Sequence, residues 1–130
     1  MPKIGVVGVG GWGKNHLRVL NDLGALSCFC DIDEDKIKIF EERHQVKGYR
    51  SLDDMLRNEK LDAITICTPS ATHYEIAEKT IKSGLDTFVE KPLTYKSIEG
   101  ERLVKLAKEK NVILTVGFIE RFNPAIIELK

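Results

Sequence analysis

The segment Gly8-Val9-Gly10-Gly11-Trp12-Gly13 follows directly on the apolar run Ile4–Val7 and leads into residues able to start a helix. In that setting a Gly-x-Gly-x-x-Gly spacing suits the approach of a pyrophosphate to the main chain. Gly8 permits a tight turn out of the strand, Gly10 removes a Cβ from the phosphate's path, and Gly13 lets the helix pack closely. The free N–H groups of the helix's first turn then face the anion. Asp31 stands at the end of the next apolar run, where a carboxylate accepts hydrogen bonds from the adenosine ribose hydroxyls. Its charge would repel a 2′-phosphate, so NAD is expected over NADP, with Lys36 and Arg50 the nearby cations able to reverse the preference. A glycine loop and an acidic residue after the second strand also suit S-adenosylmethionine, and these residues alone leave that class open.

The elements that must hold these residues alternate along the whole chain. Ile4–Val7, Leu26–Cys30, Ala63–Cys67, Thr87–Val89 and Val112–Val116 are short, near-continuously apolar runs, the pattern of parallel strands covered on both faces. Tyr49-Arg50 adds a short candidate. Between them lie amphipathic segments. The first begins near Trp12, places Leu17, Leu20 and Leu23 on one face, and stops at Gly24. The second is capped by Asp33 with Glu34 and Asp35 in its first turn and carries a stripe of Ile37, Phe40 and His44. Ser51-x-x-Asp54 and Thr72-x-x-Glu75 have the spacing of capping boxes. The helix after Thr72 turns Ile76, Ala77 and Ile81 inward and ends at Gly84, and the last runs from about Lys96 to Lys110 with Leu103, Leu106 and Ala107 inward, closed by Asn111. This order predicts an α/β fold: a three-layer, doubly wound parallel sheet of the Rossmann, NAD(P)-binding type.

Bulk properties narrow the function classes. The chain has 130 residues, 42% of them hydrophobic, enough for one domain with a real core. Lys plus Arg and Asp plus Glu balance at 20 each, so there is no footprint for nucleic acid or an anionic membrane. No apolar stretch approaches the roughly 20 residues of a membrane span, and no signal core is present, which makes the cytoplasm the expected location. Cys28, Cys30 and Cys67 read as buried thiols of the sheet rather than as disulfides or a metal site.

Three further segments fall at strand ends: Thr68-Pro69-Ser70-Ala71-Thr72-His73, Glu90-Lys91-Pro92, and Gly117-Phe118-Ile119-Glu120-Arg121-Phe122-Asn123-Pro124. With the glycine loop they cover nearly the whole chain in order. Together they resemble the N-terminal domain of the Gfo/Idh/MocA oxidoreductase superfamily, the group of glucose–fructose oxidoreductase and inositol dehydrogenase. The forms Gly-Gly-Trp-Gly-Lys-Asn-His and Glu-Arg-Phe-Asn-Pro look most like its branch of UDP-N-acetylglucosamine and UDP-N-acetylglucosaminuronate 3-dehydrogenases. The S-adenosylmethionine reading predicts neither the Glu-Lys-Pro tripeptide nor the Thr-Pro turn. The resemblance implies that Lys91 reaches the reacting hydroxyl of a sugar or cyclitol while a hydride passes to nicotinamide. It also implies that Pro92, in a turn open to a cis bond, aims Lys91. It places Glu90 on the cofactor's ribose side, Thr68 and Pro69 along the nicotinamide riboside, and His73 near it. Trp12 and Lys14 then border the pyrophosphate and the substrate entrance. Arg121 and Asn123 fall where substrate contacts and the crossover to a second domain begin. Plainer roles stand beside these: Lys91 as a solvated loop lysine, His73 as a first-turn helix residue, His16 and His44 as packing or surface residues, Arg121 as an ion-pair partner.

The family normally carries a second α/β domain, which supplies most substrate contacts, a catalytic histidine and the oligomer interface. Residues 1–120 are therefore expected to form the dinucleotide-binding domain and residues 121–130 to start the crossover. Cofactor binding with little or no turnover is the expectation for these residues alone. Three origins fit: a cofactor domain of a longer enzyme, half of a split enzyme completed by a partner chain, or a stand-alone nucleotide-sensing module. Self-association is expected through the second domain or through the apolar tail Ile126-Ile127-Leu129.

Overall fold

The computed structural model describes residues 1–117. Arg121, Asn123 and the apolar tail lie outside the described residues. Six strands alternate with five helices: β1 (Ile4–Val7), α1 (Gly13–Asp22), β2 (Leu26–Cys30), α2 (Glu34–His44), β3 (Lys47–Tyr49), α3 (Leu52–Asn58), β4 (Ala63–Ile66), α4 (His73–Lys82), β5 (Asp86–Glu90), α5 (Ser97–Lys110) and β6 (Leu114–Gly117). A 3-10 turn, Ser70–Thr72, leads into α4. All pairings are parallel, in the order β3-β2-β1-β4-β5-β6. The chain runs outward from β1 to β3, returns beside β1 as β4, and runs outward again. That reversal opens a crevice at the carboxyl ends of β1 and β4, the place where open parallel sheets bind ligands.

Alternation along the strands separates two cores. Val6, Val9 and Phe29 meet Leu17 of α1 and Ile37 and Phe40 of α2 on one face. Val7, Cys28, Cys30, Ile64, Ile66 and Val89 meet Met55 of α3, Ala77 and Ile81 of α4, and Leu103 and Ala107 of α5 on the other. Each face thus carries its own apolar layer, as a three-layer α/β domain requires.

Most predicted punctuation is present. Asp33 caps α2, its side chain accepting from the Asp35 and Lys36 amides. The Ser51 hydroxyl oxygen accepts from the Asp54 amide at 3.3 Å. Gly24 and Gly84 follow α1 and α4 with φ of +75° and +79°. The next residue closes each end, Ala25 donating to Leu20 O and Leu85 to Thr80 O, which satisfies carbonyls the helix leaves open.

Three expectations fail. Thr72 is not a cap: its φ and ψ of −98° and −6° are helical, and its hydroxyl donates instead to Thr68 Oγ1 or Pro69 O, both at 2.7 Å. Leu23 is 61% exposed although its backbone is still helical: six residues on from buried Leu17, at about 100° per residue, it lies roughly 120° round the helix. The short third strand is Lys47–Tyr49 rather than Tyr49-Arg50.

Candidate functional site

A cleft of about 720 Å³ lies at the carboxyl ends of β1, β2, β4 and β5. Its floor is the glycine loop. The Gly8 amide donates to Cys30 O at 2.9 Å, and a Cβ on Gly8 would meet Cys67 and Thr68 backbone atoms at 2.9 Å. Gly8 also has φ +89°, so the loop can turn there only as glycine. Gly13 is not on the cleft surface. It packs beneath it, where a Cβ would lie 1.8 Å from Gly8 O. Gly11 has open space above it, and Gly10 has only Lys36 Nζ nearby, 3.8 Å from its would-be Cβ. Among the described residues, the Gly11, Trp12 and Gly13 amides find no backbone acceptor. Three donors at a helix N-terminus, an open glycine surface and a nearby ammonium together suit a bound pyrophosphate.

Asp31 forms the next wall. Its Oδ2 accepts from the Val9 amide and its Oδ1 from the Asp33 amide, both at 2.9 Å. The carboxylate is thus fixed between the glycine loop and α2, with lone pairs left for a diol. Arg50 lies on the same side but is held by Glu34 at 2.8 Å. Ile32, Leu52 and Ile76 supply an apolar wall that sequence reasoning missed. Its one signal was Ile32, 88% exposed between two aspartates.

The opposite end collects the remaining predicted residues. Thr68, Pro69, His73, Glu90 and Lys91 all line the cleft. The Lys91–Pro92 peptide is cis, and Pro92 itself is exposed and lies outside the cleft lining. Lys14 does not border the cleft. His73, 1% exposed, sets its Nδ1 2.7 Å from Pro92 O and its Nε2 2.9 Å from Thr68 O. Glu90 Oε1 lies 2.9 Å from His16 Nε2, a contact across 74 residues that no local pattern announces. Burial pushes the Cys30 and Cys67 thiols up to about 12, reinforced by the charges of Asp31 and Glu90 respectively. Both therefore stay protonated at neutral pH and offer the cleft no thiolate nucleophile.

Fold and cleft define the class: a parallel α/β domain with a dinucleotide site at its switch point. The chain belongs to the oxidoreductase family with an NAD-binding Rossmann fold (GFO_IDH_MocA), whose model matches residues 2–118. It is 30% identical over 128 residues to the UDP-N-acetylglucosamine 3-dehydrogenase of Acidithiobacillus ferrooxidans, covering 98% of this chain and 40% of that one. It is 30% identical over 132 residues to the myo-inositol 2-dehydrogenase of Thermotoga maritima, covering 98% and 39%. Among solved structures, the WlbA dehydrogenase of Bordetella pertussis in complex with NADH and UDP-GlcNAcA superposes with a TM-score of 0.92 at 29% identity, covering 98% and 40%. The chain thus spans about 40% of the length of these relatives. No helix among the described residues is long and apolar enough to cross a membrane.

Proposed function

We propose that this chain is the cofactor-binding part of a dehydrogenase that oxidises a ring carbinol of a sugar, in the first instance a nucleotide-linked sugar. The observation that carries the reading is the meeting of the glycine loop, Asp31 and Lys91 around one cleft. NAD, when bound, would take up the hydride as the carbinol carbon becomes a carbonyl, and the hydroxyl proton would pass to a base of the second domain. The chain's own residues bind and orient the cofactor and meet the reacting hydroxyl. The Gly8–Gly13 loop and the α1 N-terminus hold the pyrophosphate, and Asp31 holds the adenosine ribose. Thr68 and Pro69 flank the nicotinamide riboside, with Glu90 and His73 behind it. Lys91 hydrogen-bonds the reacting hydroxyl and stabilises the oxyanion that develops there.

The choice of a nucleotide sugar rests on the names of the relatives and on the Trp12-Gly13-Lys14 and Arg121-Phe122-Asn123-Pro124 stretches. Inositol dehydrogenases among the relatives support a free cyclitol as the second reading. In this proposal residues 1–120 are the cofactor domain, and residues 121–130 begin the crossover to a substrate domain, with Arg121 and Asn123 at the substrate side. That domain, or the apolar tail, joins copies of the protein. The expected location is the cytoplasm.

Trp12 is the sole tryptophan, is 59% exposed and lines the cleft, so its emission reports binding. Saturable quenching by NADH, tighter than by NADPH, is the expected result. Asp31→Ala removes the ribose acceptor and strands the Val9 and Asp33 amides. Hydrogen bonds to charged groups contribute about 1.5–3 kcal/mol each, so NADH affinity should fall about 10- to 100-fold. Equal affinity for both nucleotides, or an Asp31→Ala variant that binds NADH normally, contradicts the assignment of Asp31. No saturable response to either nucleotide contradicts the reading as a whole.

A further inference from the structure

The geometry points to a two-histidine clamp, His16 and His73, that positions Lys91 by holding the residue on each side of it. This rests on the reading of Lys91 as the residue that meets the substrate hydroxyl. Lys91 itself is exposed and sits where the chain leaves the sheet. The turn it begins contains Pro92, which has no amide to donate. What is fixed is its flanks. On one side, the Glu90 carboxylate meets His16 Nε2 at 2.9 Å. On the other, Pro92 O lies 2.7 Å from His73 Nδ1.

Both contacts are built rather than incidental. Glu90 is 9% exposed, and its carboxylate lies where a Cβ on Gly117 would come within 3.0 Å of Oε2. A glycine in the neighbouring strand therefore makes the room. The His16 ring is steadied by Phe88, centroid to centroid 5.6 Å. His73 is almost wholly buried, and its second nitrogen lies 2.9 Å from Thr68 O. Carbonyl oxygens only accept, so each contact needs an N–H. The neutral ring supplies one of the two, and the protonated ring supplies both.

The anchors come from the two segments that hold the cofactor. His16 lies in the first turn of α1, immediately after the glycine loop, and its amide donates to Trp12 O. His73 opens α4, directly after the Thr68–Thr72 segment. The clamp thus ties the presentation of Lys91 to both loops, and His16 and His73 are positioning residues.

The test uses this chain, its lysines dimethylated with ¹³C-formaldehyde, and NADH as the probe. The Lys91 signal is assigned by its loss in Lys91→Arg, and each variant is brought to NADH saturation so that affinity does not enter. The wild-type Lys91 signal should shift on NADH binding. A glutamine amide replaces an imidazole Nε2 and an asparagine amide replaces Nδ1, so the variants separate positioning from packing. His16→Gln and His73→Asn should keep the NADH-induced shift, whereas His16→Ala and His73→Gln should lose most of it. Equal shifts in all four variants overturn the clamp and leave the dehydrogenase reading standing. Equal loss in His73→Asn and His73→Gln assigns His73 to packing and overturns its half. If neither His73 variant folds, the His16 pair decides, and like behaviour of Ala and Gln there overturns the proposal. Saturable Trp12 quenching in the wild type with no movement of the Lys91 signal removes Lys91 from the nicotinamide end, and the clamp falls with it.

Discussion

Gly13 and Gly24 bracket the same helix and are required for opposite reasons. A Cβ on Gly13 would stand 1.8 Å from the Gly8 carbonyl oxygen, backbone against backbone, where no rotamer can relieve it. Gly13→Ala should therefore cost at or above the upper end of the roughly 1–3 kcal/mol of ordinary overpacking, and should abolish NADH quenching of Trp12. Gly24 has nothing within 4 Å of its would-be Cβ but holds φ +75°. Gly24→Ala pays only for that conformation, about 1–2 kcal/mol, with NADH affinity unchanged. Urea unfolding together with a Trp12 titration separates the two. The glycine pattern was legible in the sequence, but only the structure distinguishes a glycine that makes room from one that makes a turn. The same limit applies to Gly117, whose use is to seat Glu90.

At the scale of elements, what could be read in advance was what is local. Asp33 and Ser51 cap their helices as their spacing predicted, since a cap bonds two or three residues ahead. Asp33→Ala should cost about 1 kcal/mol by thermal or urea unfolding, because it frees two first-turn amides of α2 and leaves Ile37 and Phe40 less firmly held. A stability unchanged within error would show that the cap is redundant with packing. Thr72 had the right spacing and the wrong backbone: the preceding 3-10 turn puts it in a helical conformation, so its hydroxyl faces back towards Thr68. Leu23 had the wrong period: a strict three-residue spacing drifts around the helix, which leaves it roughly 120° from Leu17. The His16–Glu90 contact was illegible because its partners belong to different elements 74 residues apart. Glycine loop, acid, Thr-Pro turn and Glu-Lys-Pro tripeptide were visible as separate motifs. The alternation of strand and helix implied that they share one edge of a sheet, but the bonds joining them were not visible.

The whole molecule carries a pH signature from its central strands. Burial first, then nearby negative charge, pushes the Cys28, Cys30 and Cys67 thiols from 9.0 up to about 12. Unfolding releases thiols that ionise near 9, while the folded state keeps its protons to about 12. The contribution to stability is therefore complete below pH 9 and is lost as pH rises through 12. The urea midpoint should fall between pH 8 and pH 10.5, corresponding to a loss of unfolding free energy on the order of a few kcal/mol in total. Cys28→Ala, although less stable at pH 8, should lose less across that interval. A flat profile would mean that the folded thiols ionise as freely as unfolded ones.

The placing of β1 between β2 and β4 also has a consequence for how the domain is made. β1 and the glycine loop leave the ribosome well before β4, yet the loop takes its shape from residues that follow β4. The Cys67 amide donates to Val7 O, and Gly8 rests against Thr68. Asp62 closes the far end of the same pairing, accepting from the Lys3 amide across 59 residues. Until β4 emerges, β1 presents an unpaired apolar edge of the kind that chaperones cover. A nascent chain that stops short of Thr68 has no finished nucleotide pocket. NAD therefore cannot template the early steps, and it acts only by mass action on a sheet already closed around its first strand.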